Sequence, residues 1–431
     1  MAENLQSSSN DNGYQESTPK RSKIHHQDEQ ESSPDRLSAL PEHLLVEILS
    51  FLEMKDAVKT SALSKTWKHL WTHVDKIVYV FDDRQLTAKL PEFISFVHRT
   101  LMQCTCPNLK KFALSVDDYH YHHELLDEWL QWVFKKNLKF LKLDLIVEGY
   151  CFPEWFYHNS SLVKLEINMN NPWWYNGEES VSWPSLKSLQ LSYVSIWDGQ
   201  VATILSGCPV LETIVFRSLD VIGSLNIKYP SVRSLKLIDL SDDGFLESLE
   251  IDAPFLKELE VLGRDFIPCF RLINVSSLVY AKFDYTPEST LVDCNVVWPE
   301  AAAKLLENVS CVKELVLGPI FIQTLSLLTL LSVPFPLLKC KRVKIRSPLM
   351  YYELLGIVCL LNTSPDLDTL IIEVVTPVEK LWLAGYVSSF SDDIIRTYLD
   401  GNEDYEWELT KNKSCFEFGF VKSCDKSTNS L

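Results

Sequence analysis

Two clusters in this chain carry side chains that can ligate a metal. His120, His122 and His123 surround Tyr121, and Cys104 and Cys106 flank a threonine. Structural zinc needs four donors, usually two spaced pairs that meet in a tetrahedron, and neither cluster has a second half at suitable spacing. The histidines precede a helix-patterned stretch on an exposed connection and read as solvated. The cysteines read as small apolar side chains, so no metal is expected. The 13 glycines never come closer together than eight positions, which excludes the Gly-rich loops that cradle phosphates. No G-x-S-x-G elbow and no H-E-x-x-H helix occurs. No residue is a candidate catalyst, and no cofactor is called for.

Side chains suited to contact are better represented. Trp173, Trp174, Tyr175 and Trp183 crowd residues 171–183, with proline and glycine as breakers. Loop aromatics anchor protein partners well. They also serve to cover the open end of an apolar layer, and both readings stand at this point.

The bulk properties narrow the partners. The chain has 431 residues, 46% hydrophobic and 23% charged, the balance of a folded protein with more than one small core. Its formal net charge of −17 repels phosphate backbones and anionic lipids, so neither nucleic acid nor a membrane is the expected partner. The N-terminus lacks the apolar core of a secretory signal. The eleven cysteines are scattered, and in a reducing compartment they remain free thiols. Residues 320–338 are strongly apolar, but Pro334 leaves only about fourteen residues of helix where a bilayer needs roughly 20. A buried helix fits better.

The positions that these side chains occupy depend on the chain's organisation. Residues 1–34 are too polar to offset chain entropy and read as disordered; "PKRSK" at 19–23 is a charge cluster or an import signal. Residues 35–75 form a short helical module. Leu40, Leu44, Ile48 and Phe51/Leu52 recur at helical spacing, with Leu45 and Leu49 widening the stripe and Pro41 suited to the first helical position. Leu63, Trp67 and Trp71 continue the apolar series. A module this small cannot cover so many large side chains alone. They pack against the rest of the chain, or against helices of another protein.

Residues 76–396 change period. A unit of the form "NLKFLKL" (137–143) or "SLVKLEI" (161–167) recurs eleven times, at intervals of 21 to 34 residues and mostly within the 20–29 of leucine-rich repeats. Each unit is one short strand that cannot bury its flanks alone; stacked, the units make a parallel sheet over a continuous core. "SLNIKYP" (224–230) and "SLEIDAP" (248–254) predict second short strands on the far side of the coil. Residues 123–136 and 199–208 predict helices there, with Gly207 capping the latter. Between the last two apolar positions of each unit one side chain points outward. That row includes Lys142, Glu166, Gln190, Val215, Lys236, Glu260, Lys282, Val316, Lys344 and Ile371. Its mixed charge suits a protein surface. Of these, Glu166, Gln190, Lys236 and Glu260 join Trp173, Trp174 and Tyr175 as candidate target-binding residues.

"LSALPEHLLVEILSFLEMKDAVKTSALSKTWKHLW" (37–71) resembles an F-box, with its Leu-Pro helix start, I-L-S-x-L core and S-x-L-S-x-x-W segment. "LSGCPVLETIVF" (205–216) is similar to the helix-to-strand junction of plant-type F-box/leucine-rich-repeat proteins. The implied fold is α/β, a short helical F-box followed by an irregular leucine-rich-repeat solenoid with a parallel sheet. Residues 397–431 begin like an FBD element and end before a strand–helix unit, a remnant. The resemblance implies a non-catalytic substrate receptor of an SCF-type ubiquitin ligase, in the nucleus, the cytoplasm or both. The F-box would dock on a Skp-type adaptor, and through it on cullin and RING subunits, through Leu40, Pro41, Leu44, Leu45, Ile48, Leu49, Leu52, Leu63 and Trp67. The repeats would hold an unknown target protein. Two rivals are a repeat scaffold without a ligase role and a small-molecule co-receptor.

Overall fold

The computed structural model describes residues 37, 39–81, 89–116, 123–146, 150–171, 180–197, 199–240, 246–263, 270–285, 297–349, 351–375, 407–412 and 415–420. Packing divides the chain into two units, residues 1–41 and 42–431. In the first unit the described backbone is a turn, in which the Leu40 N–H donates to the Leu37 carbonyl at 3.1 Å. The 19–23 cluster lies outside the described residues.

The second unit opens with α1, Glu42–Leu49, one residue later than Pro41 predicts, and α2, Met54–Lys59. Glu42 sits where the helix dipole favours an anion. The S-x-L-S-x-x-W segment is not α-helical. It is two 3-10 turns, Thr60–Ala62 and Trp67–His73, and the second packs on α1. Short 3-10 turns commonly serve as connectors, and these two lie in the connection between α2 and the first strand.

That strand is β1, Lys76–Phe81, and α2 lies against it, so the F-box-like helices share one compact unit with the repeats. Helix α3, Leu90–Gln103, leads to β2, Lys111–Val116; α4, His123–Phe134, leads to β3, Phe140–Leu145. After these come β4, Lys164–Asn171, β5, Ser188–Trp197, the helix α5, Gln200–Ser206, and β6, Thr213–Arg217. The middle repeats contain β7, Asp220–Lys228, β8, Ser234–Ile238, β9, Leu246–Asp252, β10, Glu258–Gly263, and β11, Phe270–Ile273. The last repeats hold β12, Tyr280–Tyr285, α6, Val297–Asn308, β13, Glu314–Leu317, α7, Pro319–Leu330, β14, Arg342–Ser347, α8, Tyr351–Asn362, and β15, Thr369–Val374.

The main ladder runs β1, β2, β3, β4, β5, β6, β8, β10, β12, β13, β14, β15, parallel throughout. Every repeat unit supplies one rung in the expected register. Leu141, Leu165, Leu189, Ile214, Leu235 and Leu259 are successive Cα partners along the ladder, and each is at most 1% exposed. The predicted far-side strands are β7 and β9, which pair in parallel, with β11 added beyond them. The longest interval, before the unit at 312, holds α6. The apolar stretch after Gly318 is α7, buried from Pro319 to Leu328. Among the described residues no helix is long and apolar enough to cross a membrane. Inside this layer Glu353 accepts hydrogen bonds from Gln323 Nε2 at 3.0 Å and Ser347 Oγ at 2.6 Å, which makes a buried carboxylate tolerable.

At the other end the chain reverses. β16, Trp407–Asn412, and β17, Cys415–Phe420, form an antiparallel hairpin, and β17 pairs antiparallel with β15.

Gly207 caps α5, but not by the left-handed conformation that its position suggests. Its φ is −78°, and its O accepts from the Trp183 N–H at 2.8 Å. The glycine is needed for proximity: a Cβ there would lie 2.2 Å from the Val181 carbonyl oxygen. Gly207→Ala should therefore lower stability by about 1–3 kcal/mol, read as the midpoint of denaturant unfolding, although alanine is the better helix former. An unchanged midpoint would show that the Val181 backbone yields freely.

Candidate functional site

In α1 the helical repeat of about 100° per residue sets neighbouring leucines on different faces. Leu45 and Leu49 point inward and are 0% and 1% exposed; Trp67, at 2%, joins them with Leu70 and Trp71. Three of the nine expected adaptor contacts are thus spent on the chain's own core, because α1 packs down on the Trp67–His73 turn. The expectation for Leu45, Leu49 and Trp67 is corrected accordingly. Leu44, Ile48 and Leu52 lie one turn apart on the other face and stay exposed. Phe51, 74% exposed, follows directly on that face, and Leu63, 65% exposed, is open on the segment after α2. Helical spacing allows Phe51 or Leu52 as the end of the stripe, and Phe51 is the more open of the two. Within the first unit Pro41 is exposed and Leu40 half-buried.

A protein surface rarely leaves this many large apolar groups together without a use. Burying each fully is worth roughly 1.5–3 kcal/mol, so an uncovered stripe is a strong potential contact.

Trp173, Trp174 and Tyr175 lie outside the described residues. Trp183 does not belong with a binding loop: it is 1% exposed, donates from Nε1 to the Phe156 carbonyl at 3.2 Å and packs edge-on to the Phe156 ring. His120 and His122 also lie outside the described residues. Cys104 and Cys106 are buried; burial pushes the Cys104 thiol up to about 12, and Cys106 Sγ donates to the Asn108 carbonyl at 3.0 Å. Among the described residues no group of three His, Cys, Asp or Glu side chains is placed to hold a metal.

The outward row keeps the register read from the sequence. Lys142, Glu166, Gln190 and Val215 are successive partners, then Lys236, Glu260, Lys282, Val316, Lys344 and Ile371, although Val316 is buried and not outward as expected. Among the four target candidates on it, Glu166 pairs with Lys164 at 2.7 Å, and Lys236 pairs with Glu260 at 2.7 Å. At the C-terminal rungs Lys344 Nζ lies 2.7 Å from Glu373, and Arg346 bridges Glu373 and Asp284. Hydrogen bonding and the charge of Lys344 hold the Glu373 carboxyl below the usual range.

A family profile for the F-box domain matches residues 37–79, and one described as "At1g61320/AtMIF1, LRR domain" matches residues 101–391. Among curated Arabidopsis thaliana proteins, F-box/LRR-repeat protein At3g03360 is 33% identical over 361 residues, 78% of this chain and 70% of the relative. Putative F-box/LRR-repeat protein At3g18150 is 31% identical over 78% of this chain and 71% of its own length. F-box/FBD/LRR-repeat protein At2g26030 is 28% identical over 80% of each.

Two outcomes test this geometry. Leu45→Ala and Leu49→Ala should each destabilise by about 2–5 kcal/mol in urea unfolding, while Leu44→Ala and Ile48→Ala should stay within about 0.5 kcal/mol. Equal losses on both faces would mean that the exposed stripe is covered by the chain itself. For Glu373, a depressed carboxyl stabilises above its unfolded pKa, and that gain disappears as pH falls through the lower folded value. Glu373→Gln should thus lower the melting temperature near neutral pH, and the gap to the parent should close on acidification below about pH 4.

Proposed function

The chain belongs to the plant F-box/leucine-rich-repeat family, and on that premise we propose that it is the substrate-recognition subunit of an SCF-type ubiquitin ligase. The supporting observation is the stripe formed by Leu44, Ile48, Phe51 and Leu52, left exposed beside a face that the protein buries fully, with Leu63 exposed on the segment after α2. An apolar stripe at helical spacing suits a groove or helix pair on another protein. A Skp-type adaptor is the occupant that the F-box motif calls for, with cullin and RING subunits reached through it. Leu40 and Pro41 enter this proposal from the motif.

The chain itself carries out no chemistry. Its repeats hold a target protein, and the F-box brings that target within reach of the ubiquitin-transferring subunits. Such a subunit acts in the nucleus or the cytoplasm. Because the F-box-like helices and the repeats pack as one unit, a captured target is held on a short, stiff connection to the adaptor contact.

Co-expression with a Skp-type adaptor tests the reading. The parent chain should co-purify with it, and with cullin when that is added. Leu44→Asp with Ile48→Asp should weaken the association by about a hundredfold and leave the melting temperature nearly unchanged. Leu40→Ala with Pro41→Ala should also abolish co-purification. Adaptor binding without cullin recruitment would favour an interaction scaffold. Binding undiminished in both double variants would sink the assignment.

A further inference from the structure

β1 is the first rung of the main ladder, and one of its edges is open. It pairs with β2 on one side, and among the described residues no strand pairs with the other. The Asp75 carbonyl accepts from the N–H groups of Lys110 and Lys111, so it faces β2. Main-chain direction alternates along a strand. Ile77 and Tyr79 therefore also turn their N–H and C=O to β2, while Lys76, Val78 and Val80 turn theirs to the open side. At the Lys76 end the strand is covered: α2 lies against β1, and Lys76 Nζ is 4.5 Å from the centroid of the Phe51 ring. Further along, nothing takes the place of a neighbouring strand. Among the described residues no main-chain hydrogen bond reaches Val78 or Val80 from that side. Each presents one donor and one acceptor there.

Beside these groups lies a groove of about 550 Å3. Residues 78–81 of β1 form one wall, Phe93 and Phe96 of α3 a second, and Glu53 and Lys55 at the start of α2 a third. Tyr79 is 2% exposed, and its hydroxyl is hydrogen-bonded to Thr100 Oγ1 at 2.8 Å in the interior. What it gives to the groove is main chain, so the groove runs along the edge of the strand. Val80 is 37% exposed. Phe81 and Phe93 are half-buried, with ring centroids 5.1 Å apart. The apolar floor is therefore aromatic, and the polar groups beside it are backbone donors and acceptors at strand spacing. A second extended chain satisfies that combination, because its own edge carries the same groups at the same spacing.

We propose that the open edge of β1 is a docking site for an extended segment of another protein, which adds to the ladder as a rung before β1. Its main chain pairs with Val78 and Val80. Its alternate side chains are apolar and lie over Phe81, Phe93 and Phe96; those between them face outward beside Val80. A second copy of this chain is the poorer occupant. The open stretch is about two residue pairs long, far short of a standard protein interface, and two copies each of net charge −17 repel. This inference stands apart from the ligase reading. It uses neither the exposed stripe of α1 nor the outward face of the repeats.

The test uses the full chain and a capped peptide of about seven residues that alternates valine and threonine. Hydrogen exchange at the Val78 and Val80 amides, followed by nuclear magnetic resonance, should be fast in the free chain and at least about tenfold slower with the peptide bound. Two methylated peptides separate strand pairing from simple apolar contact. One carries methyl groups on its valine nitrogens, the other on its threonine nitrogens, and only one of these sets faces β1. One of the two should bind at least about tenfold more weakly than the parent. Val80→Pro removes an open-edge donor and leaves the bonds to β2, so it should abolish peptide binding with little change in melting temperature. If that variant fails to fold, Val80→Lys, which places a charge on the edge, should still weaken binding. The proposal is overturned if the two amides exchange slowly before the peptide is added, or stay fast after it. It is also overturned if both methylated peptides bind like the parent, or if the Val80 variants bind unchanged. A dimer of the chain that Val80→Pro dissociates would give the edge to a second copy and overturn it as well.

Discussion

Parallel pairing in register is the constraint on which everything else in this chain depends. A parallel strand has no hairpin partner close in sequence; its hydrogen bonds must come from the next coil of the chain. Each rung is therefore stable only if its neighbour presents apolar side chains at the same height. The buried ladders meet that demand. Ile77, Phe112 and Leu141 align at one level, and Tyr79, Leu114 and Leu143 at the next, with no member more than 2% exposed. A shift of one residue would place a lysine row in the core and a leucine row in water. Alignment on the outer face is a consequence. Once the inner rows are locked, the outer side chains of successive coils must line up as well.

That dependence explains what is legible in the sequence. The period of two inside "NLKFLKL" or "SLVKLEI" gives the inward and outward positions directly. The Lys142–Glu166–Gln190 row can be named without coordinates, because register comes from period. Far-side strands are legible where they repeat: "SLNIKYP" and "SLEIDAP" give β7 and β9, while the shorter β11 repeats neither pattern. The hairpin β16–β17 lies outside the repeat period and is not found by it, although a separate signal is present. Trp407 and Leu409, then Phe416, Phe418 and Phe420, alternate as strands do.

The F-box-like face is legible as a whole and not in detail. Leu44, Leu45, Ile48 and Leu49 are chemically alike, and helical spacing alone cannot say which pair faces inward. Docking against the Trp67–His73 turn decides it, a tertiary event without a local signature. The same applies to Gly207, whose role depends on the Val181 backbone, distant in sequence and adjacent in space. Sequence periodicity reports the faces an element has; what each face meets is settled by the fold.

The antiparallel hairpin after β15 has a bearing on assembly. A stack of identical parallel rungs ends in a strand whose open edge invites the first rung of another molecule, and repetition of that step would build a filament. Here Ile371 is partnered by Glu417 and Leu370 by Phe418 in the reversed direction. Any strand added beyond it meets β16, which after two reversals runs in the direction of the main ladder again. The last rung's own edge is thereby covered by the chain itself, and the strictly parallel ladder stops at β15.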